Sequence, residues 1–311
     1  MSDQTVLEPG GTRPAGAASS RGLRGDFGFV ALLVLPGLAL FLAIVAYPLV
    51  ASIVSGFFRQ SLVTPGRSFV GLRNFRAVLD GDFWPALERT VVFTAGTTAL
   101  SFVLGLGLAL ALNTGIRGRA VLRGVFLLPW VMPSVVVSFL WLWIFNANYG
   151  VLNGVLLDLH LIDHSVAWLA RPGTAMIAVI VAKSWASFPW MMVMLLAGLQ
   201  TVPGELYEAA AMDGAGAVRR FFSLTVPHLR PIAGIVLLLE FIWNFQHFDT
   251  IYVLTGGGPA KATTTLAVDL YQTAFTGFDV GRAGALGALW MVILLVLTAG
   301  YVWLSERGAS R

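Results

Sequence analysis

Three ionisable residues interrupt otherwise apolar runs of this chain: Lys183, Glu240 and Asp249. A charge at membrane depth is costly, so such residues face a cavity or a partner. Glu240, Trp243, Asn244 and His247 recur at i, i+3, i+4 and i+7, which places them on one face of a helix. An indole ring stacks on the C–H faces of a sugar, while carboxylate, amide and imidazole groups exchange hydrogen bonds with hydroxyls. Neighbouring apolar runs add Lys183, Ser187 and Trp190, and Trp130 and Ser134. The plainer alternative is a structural ion pair between Lys183 and Glu240. The same three ionisable groups also allow an ion-coupled secondary carrier.

Other chemistry is thinly represented. His160 and His164, with Asp158 and Asp163, have a spacing that zinc could use. A solvated loop is the better expectation, and no metal site is predicted. Cysteine is absent, which removes disulfides and thiolate-ligated metals. The two lysines, Lys183 and Lys261, each follow alanine, so no GxxxxGK[ST] phosphate loop exists. There is no HExxH motif. The chain is therefore expected to be no enzyme and to hold no cofactor of its own.

The elements that must position these residues are membrane helices. Of 311 residues, 57% are hydrophobic and 12% charged, with mean hydropathy +0.79. Soluble domains carry roughly 25% charged residues. Several apolar runs reach ~20 residues, the length that crosses a ~30 Å hydrocarbon core. The fold class is all-α, a polytopic membrane protein of six spans. They are expected at 27–58, 90–112, 121–145, 174–199, 227–254 and 283–304, with prolines inside them, Pro129 and Pro133 in the third, as marks of kinks. Residues 1–26 read as a disordered tail, 27–305 as one transmembrane domain, and 306–311 as a short tail. With the N-terminus inside, eleven arginines fall on cytoplasmic segments and eight basic residues on external ones. The short loop at Arg117–Arg123 supports that orientation, and the arginine-rich first external loop opposes it. The formal charge of +4 reflects these helix ends rather than a nucleic-acid surface.

One polar interruption stands between the fourth and fifth spans, at about 203–226. Glu205-Leu-Tyr-Glu-Ala-Ala-Ala-Met favours helix, and Asp213-Gly214 stops it. A second short helix, about 217–224, carries Arg219 and Arg220, and Pro227 opens the fifth span. The result is a helix–turn–helix elbow, either an amphipathic surface helix or a knob for a partner's groove.

Glu208-Ala209-Ala210-x-x-Asp213-Gly214-Ala215, followed by Leu224-x-Val226-Pro227 and Pro231, resembles the EAA loop of permease subunits of bacterial ATP-binding cassette (ABC) importers. The carbohydrate-uptake group is the nearest likeness. Phe248-Asp-Thr-Ile-Tyr-Val-Leu-Thr-Gly-Gly-Gly-Pro259, Thr263-Thr-Thr265 and Leu128-Pro-Trp-Val-Met-Pro-Ser134 extend the resemblance over roughly 30–305.

This resemblance implies that the elbow is cytoplasmic and docks on a separate ATPase subunit. Glu208, Ala209, Ala210, Asp213, Gly214, Arg219 and Arg220 are the expected coupling residues. It also implies two such ATPases, which bind ATP and Mg, a homologous second permease, an extracytoplasmic solute-binding protein, and a place in the bacterial inner membrane with both termini inside. The substrate pathway carried over is Trp130, Ser134, Lys183, Ser187, Glu240, Trp243, Asn244 and His247. Lys183, Glu240 and His247 make that face more charged than a neutral sugar requires. A polyol, an amino sugar or a phosphorylated ligand fits that charge, unless the second permease does the recognising.

Overall fold

The computed structural model describes residues 22–114 and 117–309, with side chains over 32–114 and 117–303. Most of the predicted N-terminal tail (1–21) and the last two residues lie outside the described residues. The chain divides into two compact units at Ala51 and Ser52.

The first unit is helical from Gly22, earlier than the expected start at Phe27. It comprises α1 (Gly22–Phe41), a π-turn at Leu42–Ala46 and the start of α2 (Tyr47–Ser55). No side chain from Leu32 to Val50 is buried. A helix apolar all round and buried nowhere within its own chain is one whose solvent is lipid.

The second unit follows from Ser52. The expected loop at 59–89 is built instead from a hairpin, β1 (Phe58–Gln60) and β2 (Arg67–Phe69), paired antiparallel with Phe58 opposite Phe69. Then come α3 (Arg73–Leu79) and the early start of α4 (Phe83–Leu112). Asn74 donates from Nδ2 to the carbonyls of Gly56 and Phe58, at 2.9 and 2.8 Å, which fixes the hairpin to the helix below. A Cβ on Gly284 would lie 2.4 Å from the Ser52 carbonyl oxygen, so only glycine permits that approach.

The expected third span is broken. α5 (Arg119–Val131) and α6 (Ser134–Ile144) meet at 94°. Met132, held extended by the proline that follows it, ends the first half at φ −71°, ψ 139°. α7 (Val151–Asp158) leads to α8 (Pro172–Leu199). Gly96 of α4 abuts Ile180 of α8 and Gly105 abuts Met191, so the two helices run parallel in close contact. Parallel neighbours require the chain between them to cross back, and the bent α5–α6 pair does this.

α9 (Gly204–Met212) is the first arm of the elbow. The second arm is not separate. α10 (Ala217–Arg220), a π-turn (Phe221–Thr225) and α11 (Val226–Phe245) form one span, Ala217–Phe245. The expected fifth span then stops early: Gln246–Phe248 leave the helix, and α12 (Asp249–Thr255) is a distinct segment. Gly256 and Gly257, at φ +59° and +89°, turn the chain after α12. α13 (Leu266–Tyr271), a π-turn (Gln272–Thr276) and α14 (Val280–Ala309) complete the chain. The core lies where α4, α8 and α11 meet, around Leu112, Met191, Leu195 and Leu229.

Candidate functional site

Glu240 and Asn244 sit one turn apart on α11 and are both buried, 3% and 1% exposed. Asn244 donates from Nδ2 to Glu240 Oε1 at 3.0 Å and to Thr98 Oγ1 at 3.2 Å, tying α11 to α4. Thr98 belongs to a stripe of buried hydroxyls, Thr90, Thr94, Thr97, Thr98 and Ser101, on the face of α4 turned to the core. Ser184 of α8 donates to the Thr97 carbonyl at 3.3 Å. The hydroxyls of Thr94, Thr97 and Ser101 and the Asn244 Oδ1 atom are buried without a hydrogen-bond partner. Unsatisfied groups of this kind are uncommon and call for bound water, a ligand or a rearrangement.

Trp243, on the same turn as Asn244, is 51% exposed, and its ring packs edge-on against buried Trp190 with centroids 4.8 Å apart. A polar floor and an open indole therefore adjoin one another on α11. Ser187 is buried on α8, and Lys183 is half-buried one turn before it. Lys183 lies close enough to Glu240 and Asp249 to interact electrostatically, but the alternative of a Lys183–Glu240 ion pair is not formed among the described residues. Among the described residues the one ion pair is Lys261 with Asp82.

Three expected members are placed differently. His247 falls beyond the end of α11, so it does not continue the Glu240 face. Its Nε2 accepts from the Thr250 backbone N–H at 3.3 Å and bonds Thr250 Oγ1 at 2.8 Å, while its ring stacks on Phe93. It closes the first turn of α12. Ser134 follows the break in the third span and donates to Asp249 Oδ2 at 2.6 Å, joining α6 to α12. Trp130 lies before that break and is exposed. The hydroxyl stripe was not among the predicted site residues, although its i, i+4, i+7, i+8, i+11 spacing is present in the sequence. His160 has φ 56° beyond the end of α7, so the i, i+4 spacing to His164 is not a helical one.

The elbow has its own local logic. The Ala215 N–H bonds the Ala210 carbonyl and the Gly214 N–H bonds the Ala211 carbonyl, with Gly214 at φ +76°. This is a Schellman ending, and it needs glycine at that position. It explains why the helix-forming alanines are followed by Asp213-Gly214. Glu208, Ala209, Asp213, Gly214 and Arg219 are exposed, Ala210 and Arg220 partly so, and Met212 projects at 88%. Tyr207 Oη bonds Thr225 Oγ1 at 2.9 Å, and Thr201 Oγ1 bonds His228 Nε2 at 3.0 Å. The knob is thereby fastened to the membrane helix on both sides.

At the opposite end of the bundle the Lys261 ammonium bonds Asp82 and holds that carboxyl below the usual range. Burial pushes the Asp269 carboxyl up, and Arg282 and Arg89 partly oppose this.

Residues 101–307 match the family described as "Binding-protein-dependent transport system inner membrane component". The chain is 38% identical to the trehalose/maltose transport system permease protein of Thermococcus litoralis, over 87% of this chain and 91% of that one. It is 36% identical to the sulfoquinovosyl glycerol transport system permease protein of Agrobacterium fabrum, over 89% and 90%. It is 37% identical to the diacetylchitobiose uptake system permease protein of Streptomyces coelicolor, over 94% and 90%. Its fold matches a bacterial ABC transporter involved in the import of the acidic polysaccharide alginate, with TM-score 0.78 and 22% identity, over 92% of this chain and 98% of that one. These likenesses are to ABC permeases, and they leave the ion-coupled carrier without support. A polytopic helical bundle with a Schellman-capped elbow and a buried polar face thus takes its place among known sequences: the chain belongs to the family of binding-protein-dependent transport system inner membrane components.

Proposed function

We propose that the chain is one of two homologous permeases in an importer that carries a sugar or sugar-like solute into the cytoplasm by alternating access. ATP and Mg are bound by two separate ATPase subunits that dock on the elbow, through Glu208, Ala209, Ala210, Asp213, Gly214, Arg219 and Arg220. An extracytoplasmic binding protein delivers solute at the opposite face, and both termini are cytoplasmic.

The observation that carries the solute class is the adjoining pair of surfaces on α11. The exposed Trp243 indole is an apolar platform, and Glu240, Asn244 and the hydroxyls of α4 are hydrogen-bonding groups beside it. Lys183 and Ser187 of α8, with Ser134, Trp130 and His247 on other segments, complete the pathway in this reading. The relatives named for trehalose/maltose, sulfoquinovosyl glycerol and diacetylchitobiose transport support a glycan or glycoside.

The test is ATP-driven uptake in proteoliposomes containing the whole transporter. Trp243→Ala is expected to lower uptake at least ten-fold with subunit assembly unchanged. Uptake equal to wild type would move the recognition surface to the second permease.

A further inference from the structure

At the elbow end of the bundle, α4 and α11 leave an open-sided cavity of about 280 Å³. Phe102 and Leu106 form one wall, Phe221, Ala233 and Leu237 the other, and a single charged side chain, Arg230, lines it. The π-turn at Phe221–Thr225 supplies Phe221, and Ala233 is small enough to leave the floor open. Arg230 lies about one turn into the membrane part of α11. Leu237 lies seven residues further on, ~10 Å deeper at 1.5 Å per residue.

Arg230 has no carboxylate partner within 4.0 Å among the described residues. Arg230 is exposed at the mouth of this apolar cavity, and a cation placed at the membrane boundary faces the level of anionic head groups. A guanidinium matches a phosphodiester with two parallel hydrogen bonds, and basic pockets between membrane helices are known to take lipid head groups. A cation at the boundary and an apolar channel leading inward from it have the layout of one phospholipid.

We infer that this cavity is a binding site for an anionic phospholipid of the leaflet on the elbow side, with its phosphate on Arg230 and one acyl chain between Phe102, Leu106 and Leu237. The site opens on the elbow side of the Glu240–Asn244 face, with Leu237 three residues before Glu240 and Phe102 four after Thr98, and it does not depend on which solute is carried. Occupation wedges lipid between α4 and the base of α11, directly above the π-turn.

The assembled transporter is reconstituted in vesicles of phosphatidylcholine alone and of an equal mixture of phosphatidylcholine and phosphatidylglycerol, then extracted. Retained lipid is counted by native mass spectrometry. From the mixture, phosphatidylglycerol is expected to be retained about five-fold over phosphatidylcholine, the scale that one cation near an anionic surface supports. Arg230→Gln removes the preference, Arg230→Lys keeps it, and Ala233→Leu lowers retention of both lipids by filling the cavity. An undiminished preference in Arg230→Gln overturns the inference. The chain contains no cysteine, so Ala233→Cys gives a second, independent readout. In the assembled transporter a membrane-soluble maleimide is expected to label it. Protection at saturating reagent would place a protein helix in the cavity, and the lipid site would be wrong.

Discussion

Asn244 is the hinge of the interior site, because one amide serves both Glu240 and Thr98. Asn244→Leu leaves a buried carboxylate without its donor, which costs about 1–3 kcal/mol. A lower melting temperature of the purified complex, together with reduced uptake, is the expected outcome. Glu240→Gln separates charge from hydrogen bonding. The glutamine oxygen still accepts from Asn244, so stability is expected to hold or rise while solute preference changes; a changed melting temperature with unchanged preference would make Glu240 purely structural. At the far end of the bundle two carboxyls respond to pH with opposite sign. The Asp82 carboxyl is held low by Lys261, so its contribution is present above its unfolded pKa and lost as pH falls through its folded value. The Asp269 carboxyl is raised by burial, so its charged form is penalised and stability falls as pH rises through its folded value. Asp269→Asn is therefore expected to raise the melting temperature at neutral pH, with the gain vanishing in acid. A gain that persists in acid would assign the effect to something other than ionisation.

Among the elements, the Schellman ending of α9 makes the sharpest claim. A side chain at Gly214 must adopt the left-handed region, at a cost of about 1–2 kcal/mol. Gly214→Val is expected to unseat the elbow and lower solute-stimulated ATP hydrolysis several-fold, with the membrane helices still assembled; wild-type stimulation would remove the elbow from the coupling path. This element was legible because its signal is local: helix-forming alanines, then Asp-Gly. The spans were legible by length and hydropathy, though α4 begins seven residues before Thr90. The breaks were not. Pro133 reads as a kink within a span, and nothing in the sequence sets its angle at 94°, which is stabilised by the distant bond from Ser134 to Asp249. The end of α11 at Phe245 has no proline or glycine to mark it. Consequently His247 was placed on a helical face that the chain leaves two residues earlier. The hydroxyl stripe of α4 was visible as spacing, but which face of an apolar helix is buried depends on its neighbours.

Across the whole molecule, apolar surface greatly exceeds what the chain itself can cover. The first unit buries no side chain from Leu32 to Val50, and Val131, Phe139 and Trp143 are exposed on either side of the 94° bend. Lipid and the proposed second permease are the partners that such surface fits. Expression with the partner permease is expected to raise the yield of folded chain and its melting temperature; indifference to that partner would leave lipid as its sole cover. The span Ala217–Phe245 joins the two functional regions without a loop between them. It carries Arg219 at one end and Asn244 at the other, ~38 Å apart along a helix. A helix of that length is a pushrod rather than a relay. The π-turn at Phe221–Thr225 lies beside the elbow and is clasped there by Tyr207, and Pro231 interrupts the hydrogen-bond ladder a few residues further on. Any tilt imposed beyond that point reaches Glu240, Trp243 and Asn244 together. In the proposed pathway the solute would lose its aromatic platform and its hydrogen-bonding floor in the same stroke, so that release would need no second trigger.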